Sequence, residues 1–182
     1  TGHSYATVGF STETVIRTDA GESFGNLEGW TFLVDGAASA PADRNFWGVT
    51  FIDDGSFYAT AGLTTTGETY LVKGDIDSRT VMTVAESVER PSLSPDGSRI
   101  AFKPKTGGSG PTTHWTPAVM DLSTGEVVLL AESRNVDDQI EWLHHDTILY
   151  GMPRSAQEGD YDVCSECGNP IPAKRLAVMA DE

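Results

Sequence analysis

The chain has 182 residues, 38% of them apolar and 21% charged, which suits one domain with a real core and is too apolar for a disordered tail. Its 27 acidic against 12 basic residues give a formal charge of -15, a field that repels phosphate backbones and anionic lipid surfaces and so excludes nucleic acid as a partner. The longest apolar run, Val127 to Ala131, falls far short of the ~20 residues a membrane span needs, and 19 Gly with 9 Pro argue against long helices.

The chain starts at Thr1 with no basic segment leading into an apolar one, as expected of a processed chain or a piece of a longer one. Gly2-His3-Ser4-Tyr5-Ala6 resembles a G-x-S-x-G nucleophile elbow with Ala in the last place. That mechanism needs a strand before the serine and a helix behind it. No residues precede the motif to make the strand, and Thr7 to Thr12 is β-rich, so no catalytic residue is assigned there.

Glu13–Thr18 and Trp30–Val34 read as strands separated by a Gly-rich turn region, Asp19 to Gly29. They suit the outer hairpin of a blade whose inner strands are absent or lie in residues 1–10. Asp35 to Arg44 is small, polar and Pro-containing, the composition of a connector.

From there the chain repeats itself. Gly48–Thr60 (GVTFIDDGSFYAT) returns 42 residues later as Arg90–Phe102 (RPSLSPDGSRIAF). Thr69–Ser87 (TYLVKGDIDSRTVMTVAES) returns 46 residues later as Trp115–Ser133 (WTPAVMDLSTGEVVLLAES), with Asp75 on Asp121 and Val81 on Val127. A third copy starts at Gln139 (QIEWLHHDTILYG) and ends loosely at Arg175–Glu182.

Each unit holds two hairpins. Pro91–Ser94 is a short strand into Pro95-Asp96-Gly97, where Pro presets the turn, Asp bonds its own backbone and Gly accepts a positive φ. Arg99–Phe102 leaves as an alternating strand whose apolar members share one face. A Gly/Ser/Pro loop over 104–111 leads to Pro117–Met120, a second turn at Asp121–Gly125, and the strand Val127–Leu130. No stretch carries helical spacing over eleven residues. The expected architecture is all-β: four-stranded antiparallel blades of a β-propeller, about three whole and one partial, in an incomplete or open ring. The boundaries expected are 1–44 for the partial blade and connector, 45–89 and 90–137 for two blades, and 138–182 for a degenerate last one.

Leu93-Ser94-Pro95-Asp96-Gly97-Ser98-Arg99-Ile100-Ala101-Phe102, then Met120–Gly125 and Leu129-Leu130, resembles the repeat of TolB-like, WD40-like β-propellers over about residues 45–151. The resemblance implies a non-enzymatic protein-binding module, exported or in the cell envelope, with a cytoplasmic location as the alternative. The same repeats form the propeller half of prolyl-oligopeptidase-type serine hydrolases, which is the second functional reading. Such propellers have six or more blades, so three and a half imply an oligomer or further blades to complete the ring.

Other candidates read more simply. Cys164-x-x-Cys167-Gly168 looks like one knuckle of a zinc ribbon, but no second CxxC exists and His3, His114, His144 and His145 lie at no matching spacing. The paired acids Asp53-Asp54, Asp75 with Asp77, and Asp137-Asp138 read as turn formers rather than a calcium site. No metal and no cofactor are therefore assigned. Trp30, Trp47, Trp115 and Trp142, with Phe46, Phe51, Phe57, Tyr58 and Phe102, read mostly as packing between blades. His114 and Trp115, in a loop beside Pro117, are the candidate interaction anchors.

Overall fold

A computed structural model describes residues 12–151 and 175–179. The Gly2–Ala6 motif and the Cys164/Cys167 pair lie outside the described residues. The described part is all-β, with two single-turn 3-10 segments, Leu27–Gly29 and Gly110–Thr112, and no α-helix. Its strands are β1 (Val15–Arg17), β2 (Ser23–Asn26), β3 (Thr31–Val34), β4 (Ala37–Ser39), β5 (Arg44–Phe51), β6 (Ser56–Leu63), β7 (Glu68–Asp75) and β8 (Thr80–Glu86). They continue as β9 (Ser92–Leu93), β10 (Arg99–Phe102), β11 (Lys105–Gly107), β12 (His114–Trp115), β13 (Ala118–Asp121) and β14 (Val127–Leu129), then β15 (Ile140–His144), β16 (Thr147–Gly151) and β17 (Arg175–Met179).

Two antiparallel four-stranded blades follow one another, in the orders β5-β6-β7-β8 and β9-β10-β13-β14. A third sheet runs β15-β16-β17. Among the first strands of the three sheets, β9 contacts both β5 and β15, as neighbouring inner strands do around a propeller axis.

Turn chemistry builds the hairpins as the residue types dictate. Asp96 accepts from the Ser94 hydroxyl at 2.6 Å, the Ser98 backbone N–H at 3.0 Å and the Ser98 hydroxyl at 2.8 Å, while Gly97 sits at φ +73°. Asp121 accepts from the backbone N–H groups of Ser123 and Thr124 at 2.8 and 3.0 Å. Asp53 and Asp75 do the same with Gly55 and Ser78. These bonds favour the ionised carboxylates and hold all four below the usual carboxylate range. Four of the 27 acidic residues are thus bound into turns.

Each blade face is buried by its neighbour. Ile100 and Phe102 of β10, with Ala118 and Met120 of β13, pack against Leu71 and Val88. The next positions along those strands, Ala101 and Val119, point the other way, toward Val136, Ile140, Ile148 and Tyr150. The strand Arg99–Phe102 is therefore apolar on both faces. A sheet clamped between two others has no solvent face, so strict alternation of apolar and polar residues is lost. Burying one such side chain stabilises the fold by about 1.5–3 kcal/mol.

Besides this loss of the expected one-faced alternation in Arg99–Phe102, two further features depart from the sequence expectation. Trp30–Val34 does not pair with Glu13–Thr18. Instead β1 pairs with β2, and β3 adds parallel to the outer edge of β8, followed by β4, giving a sheet in the order β4-β3-β8-β7-β6-β5. Ile16, Leu27, Trp30 and Phe32 then cover Phe46, Phe57, Val72 and Val81 of the first blade. The N-terminal segment occupies the face on which a preceding blade would pack. The loop over 104–111 is also structured, since β11 and β12 form a small hairpin inserted between β10 and β13.

Candidate functional site

The chain leaves β10 at Phe102, and alternation turns Lys103 to the same side as Ala101, toward the third sheet. Its side chain is only 1% exposed. The ammonium pairs with Asp137 and stands 3.7 Å from the Glu89 carboxylate. Glu89 closes the first blade and Asp137 precedes the third sheet, so this lysine joins the ends of three successive sheets. Its backbone N–H donates to the Glu89 carbonyl at 3.1 Å. Burial raises the Glu89 carboxyl above the ordinary range, and the charge of Lys103, then that of Arg90, opposes the rise. The Arg90 Nε is buried nearby without a hydrogen-bond partner.

Above this group stands Trp115. The Lys103 Nζ lies 4.8 Å and the Lys105 Nζ 5.7 Å from its ring centroid, both within cation–π range. Its backbone N–H donates to the Asn135 side chain at 2.8 Å and its carbonyl accepts from Val136 at 3.0 Å. His114 precedes it on β12, opposite Gly107. Both residues are half-buried. The structure thus places the two candidate anchors side by side on a hairpin at one end of the blades, with Trp115 tied to a buried charge cluster. In the first blade the same position is a plain turn over residues 64–67.

Glu89 and Lys103 do not stand out in the sequence, and Asp137, read there with Asp138 as a turn former, instead pairs with the Lys103 ammonium. The three positions span 48 residues, and a lysine after an apolar strand reads as the solvent end of that strand.

The other sequence candidates lie apart from this group. His144 and His145 are exposed in the turn between β15 and β16, at the opposite end of the blades, where Arg99 donates to the His145 carbonyl. There Arg99 also covers the Trp142 ring at 5.0 Å, and the Trp142 indole N–H donates to the Ser92 carbonyl at 2.9 Å. Trp30, Phe46, Phe57 and Phe102 are buried, whereas Phe51 is 54% exposed. Among the described residues no three His, Cys, Asp or Glu side chains cluster so as to hold a metal ion, and no helix is long and apolar enough to cross a membrane.

No protein-family model and no curated protein matches the sequence. Solved structures are similar over part of it. The β-propeller domain of the trilobed protease from Pyrococcus furiosus has a TM-score of 0.47 at 15% identity, covering 78% of this chain and 45% of that one. The uncomplexed acylaminoacyl peptidase of Pyrococcus horikoshii gives 0.48 at 17% identity, covering 75% of this chain and 25% of that one. An acylaminoacyl peptidase in complex with Z-Gly-Gly-Phe-chloromethyl ketone gives 0.45 at 19% identity, over 60% and 18% respectively. The chain therefore spans less than half the length of each. Its own strand order and register define it as a set of β-propeller blades, with no closed ring among the described residues.

Proposed function

We propose that this chain is a β-propeller segment that binds a protein partner, in the manner of TolB-like propellers, through the end of the blades where the β11–β12 hairpin projects. The observation that carries this reading is the inserted hairpin itself, present in the second blade and replaced by a short turn in the first. It presents a half-buried Trp115 flanked by Lys103 and Lys105 with His114 alongside. An aromatic held rigid at its base and partly open to solvent is the usual form of an interface anchor. Lys103 is buried and already paired with Asp137 and Glu89, so the exposed Lys105 beside the ring is the cation offered to a partner's carboxylate. The family resemblance makes an extracytoplasmic location the companion proposal.

The test is affinity capture with the intact chain and with a His114→Ala/Trp115→Ala variant from the same source. Loss of a specific protein from the variant supports the reading; an unchanged set of captured proteins refutes it. A second reading is the propeller half of a prolyl-oligopeptidase-type serine hydrolase, supported by the same Leu93–Phe102 repeat. A G-x-S-x-G motif on a strand–turn–helix in adjoining sequence of the same gene would select it.

A further inference from the structure

The two described four-stranded blades treat their outer edges differently. Val81 on β8 and Val127 on β14 occupy the same place in the repeat, yet Val81 is 0% exposed and Val127 is 45% exposed. The difference is β3. It pairs in parallel with β8, setting Phe32 opposite Val81, and buries that edge. β14 ends its sheet with no such strand among the described residues, and Val128 and Leu129 are 55% and 53% exposed.

The register makes this edge ready to pair. Glu126 accepts from the Asp121 N–H and Leu130 donates to the Pro117 carbonyl, both at 2.9 Å, so residues 126, 128 and 130 bond inward to β13. By the antiparallel pattern, the N–H and C=O groups of Val127 and Leu129 point outward. Beside them runs a groove of about 570 Å³ between the blades, lined by Val84, Met120, Leu122 and Val127, with Glu86 and Asp121 on its rim.

We propose that β14 is a strand-docking edge, which takes an extended segment of a partner protein in parallel, as β8 takes β3. The pairing fixes the partner's chemistry. Its side chains alternate, with an aromatic or branched aliphatic one entering the groove where Phe32 enters on the first blade. Its flanks carry Lys or Arg to meet Glu86 and Glu126 on a chain of charge -15. A second copy of this acidic chain fits less well, because two such edges would bring like charges together. This site is distinct from the β11–β12 hairpin, so it stands or falls separately from the proposal above.

The test uses the intact 182-residue chain and a fluorescein-labelled peptide, Lys-Thr-Phe-Leu-Val-Lys, patterned on β3. Saturable binding by anisotropy is expected, weakened by salt and by Glu in place of the two Lys. Leu129→Pro removes an outward N–H without touching a bond to β13 and should weaken binding roughly tenfold, the value of one or two edge hydrogen bonds. Val127→Lys, which leaves the backbone intact, should weaken it comparably, and near-UV circular dichroism checks that both variants stay folded. Equal affinity for wild type and both variants overturns the proposal, as does a Glu-flanked peptide that binds equally well. Dimers in sedimentation that Leu129→Pro disperses would assign the edge to self-association and overturn it too.

Discussion

Lys103→Met removes the ammonium that joins three sheets and leaves the Glu89 carboxylate, only 16% exposed, facing Asp137 with no cation but Arg90 nearby. Breaking a buried ion pair by removing one partner costs about 3–5 kcal/mol. The solvent reaching Glu89, and the 63% exposure of Asp137, place the expected loss near the lower end, about 3 kcal/mol at pH 7. With a urea m-value of about 2 kcal/mol/M, the unfolding midpoint should fall by roughly 1.5 M. The pH dependence identifies the cause. Glu89 already has its carboxyl raised by burial, so the folded state favours its neutral form, and its ionisation weakens the fold as pH rises above the unfolded carboxylate value. Without Lys103 that rise is larger, so the variant's deficit should be greatest at neutral pH and shrink toward pH 5. The double variant Glu89→Gln/Lys103→Met should recover most of the loss. Urea titrations followed by tryptophan fluorescence at pH 5, 6 and 7 measure all of this. A deficit below about 1 kcal/mol at pH 7, or one unchanged by pH and by Glu89→Gln, would show that the cluster does not bind the sheets together.

Val81→Ala should cost about 2 kcal/mol, because Val81 is fully buried under β3, while Val127→Ala at the matching repeat position should stay within ~0.5 kcal/mol; equal losses in thermal melts would contradict the edge assignment. Gly74→Ala would drive a methyl into the ring of Phe57, which is wholly buried and wedged near Trp30 and Phe51. Overpacking of that kind costs about 1–3 kcal/mol, and a neutral result would mean the ring has room to move. Asp96→Asn loses a carboxylate held below the usual range, chiefly by the Ser94 hydroxyl. A depressed carboxyl contributes stability that is complete above its unfolded value and is lost as pH falls through the folded one. The gap between wild type and Asp96→Asn should therefore hold from pH 7 to about 5 and close progressively below about 4. A gap still constant at pH 3 in urea titrations would rule out this role.

Much of the fold is legible in local residue types. Pro95-Asp96-Gly97 and Asp121–Gly125 make their turns through bonds within four residues, so composition and spacing suffice to place them. Strand pairing across those turns follows from the turn itself, which is why Ile100 meets Leu93 and Met120 meets Val127 in simple antiparallel register. The candidate site was legible only in part. His114 and Trp115 stood out by type, but the groups that seat Trp115 come from Glu89, Lys103 and Asp137, which no local pattern connects. The hairpin of β11 and β12 was hidden for a related reason. A Gly/Ser/Pro stretch has no strand propensity of its own, and its pairing rests on contacts made by the 135–136 segment.

By itself the sequence determined the repeating unit: short apolar strands, Asp-based turns and their spacing, all short-range properties of residue type. Tertiary structure decided which edges and faces are closed. Val81 and Val127 are the same residue at the same point of the repeat, one buried and one open. The physical reason is that burial belongs to the neighbour that arrives, and the arrival of β3 at β8 is a parallel, long-range pairing that no local pattern encodes.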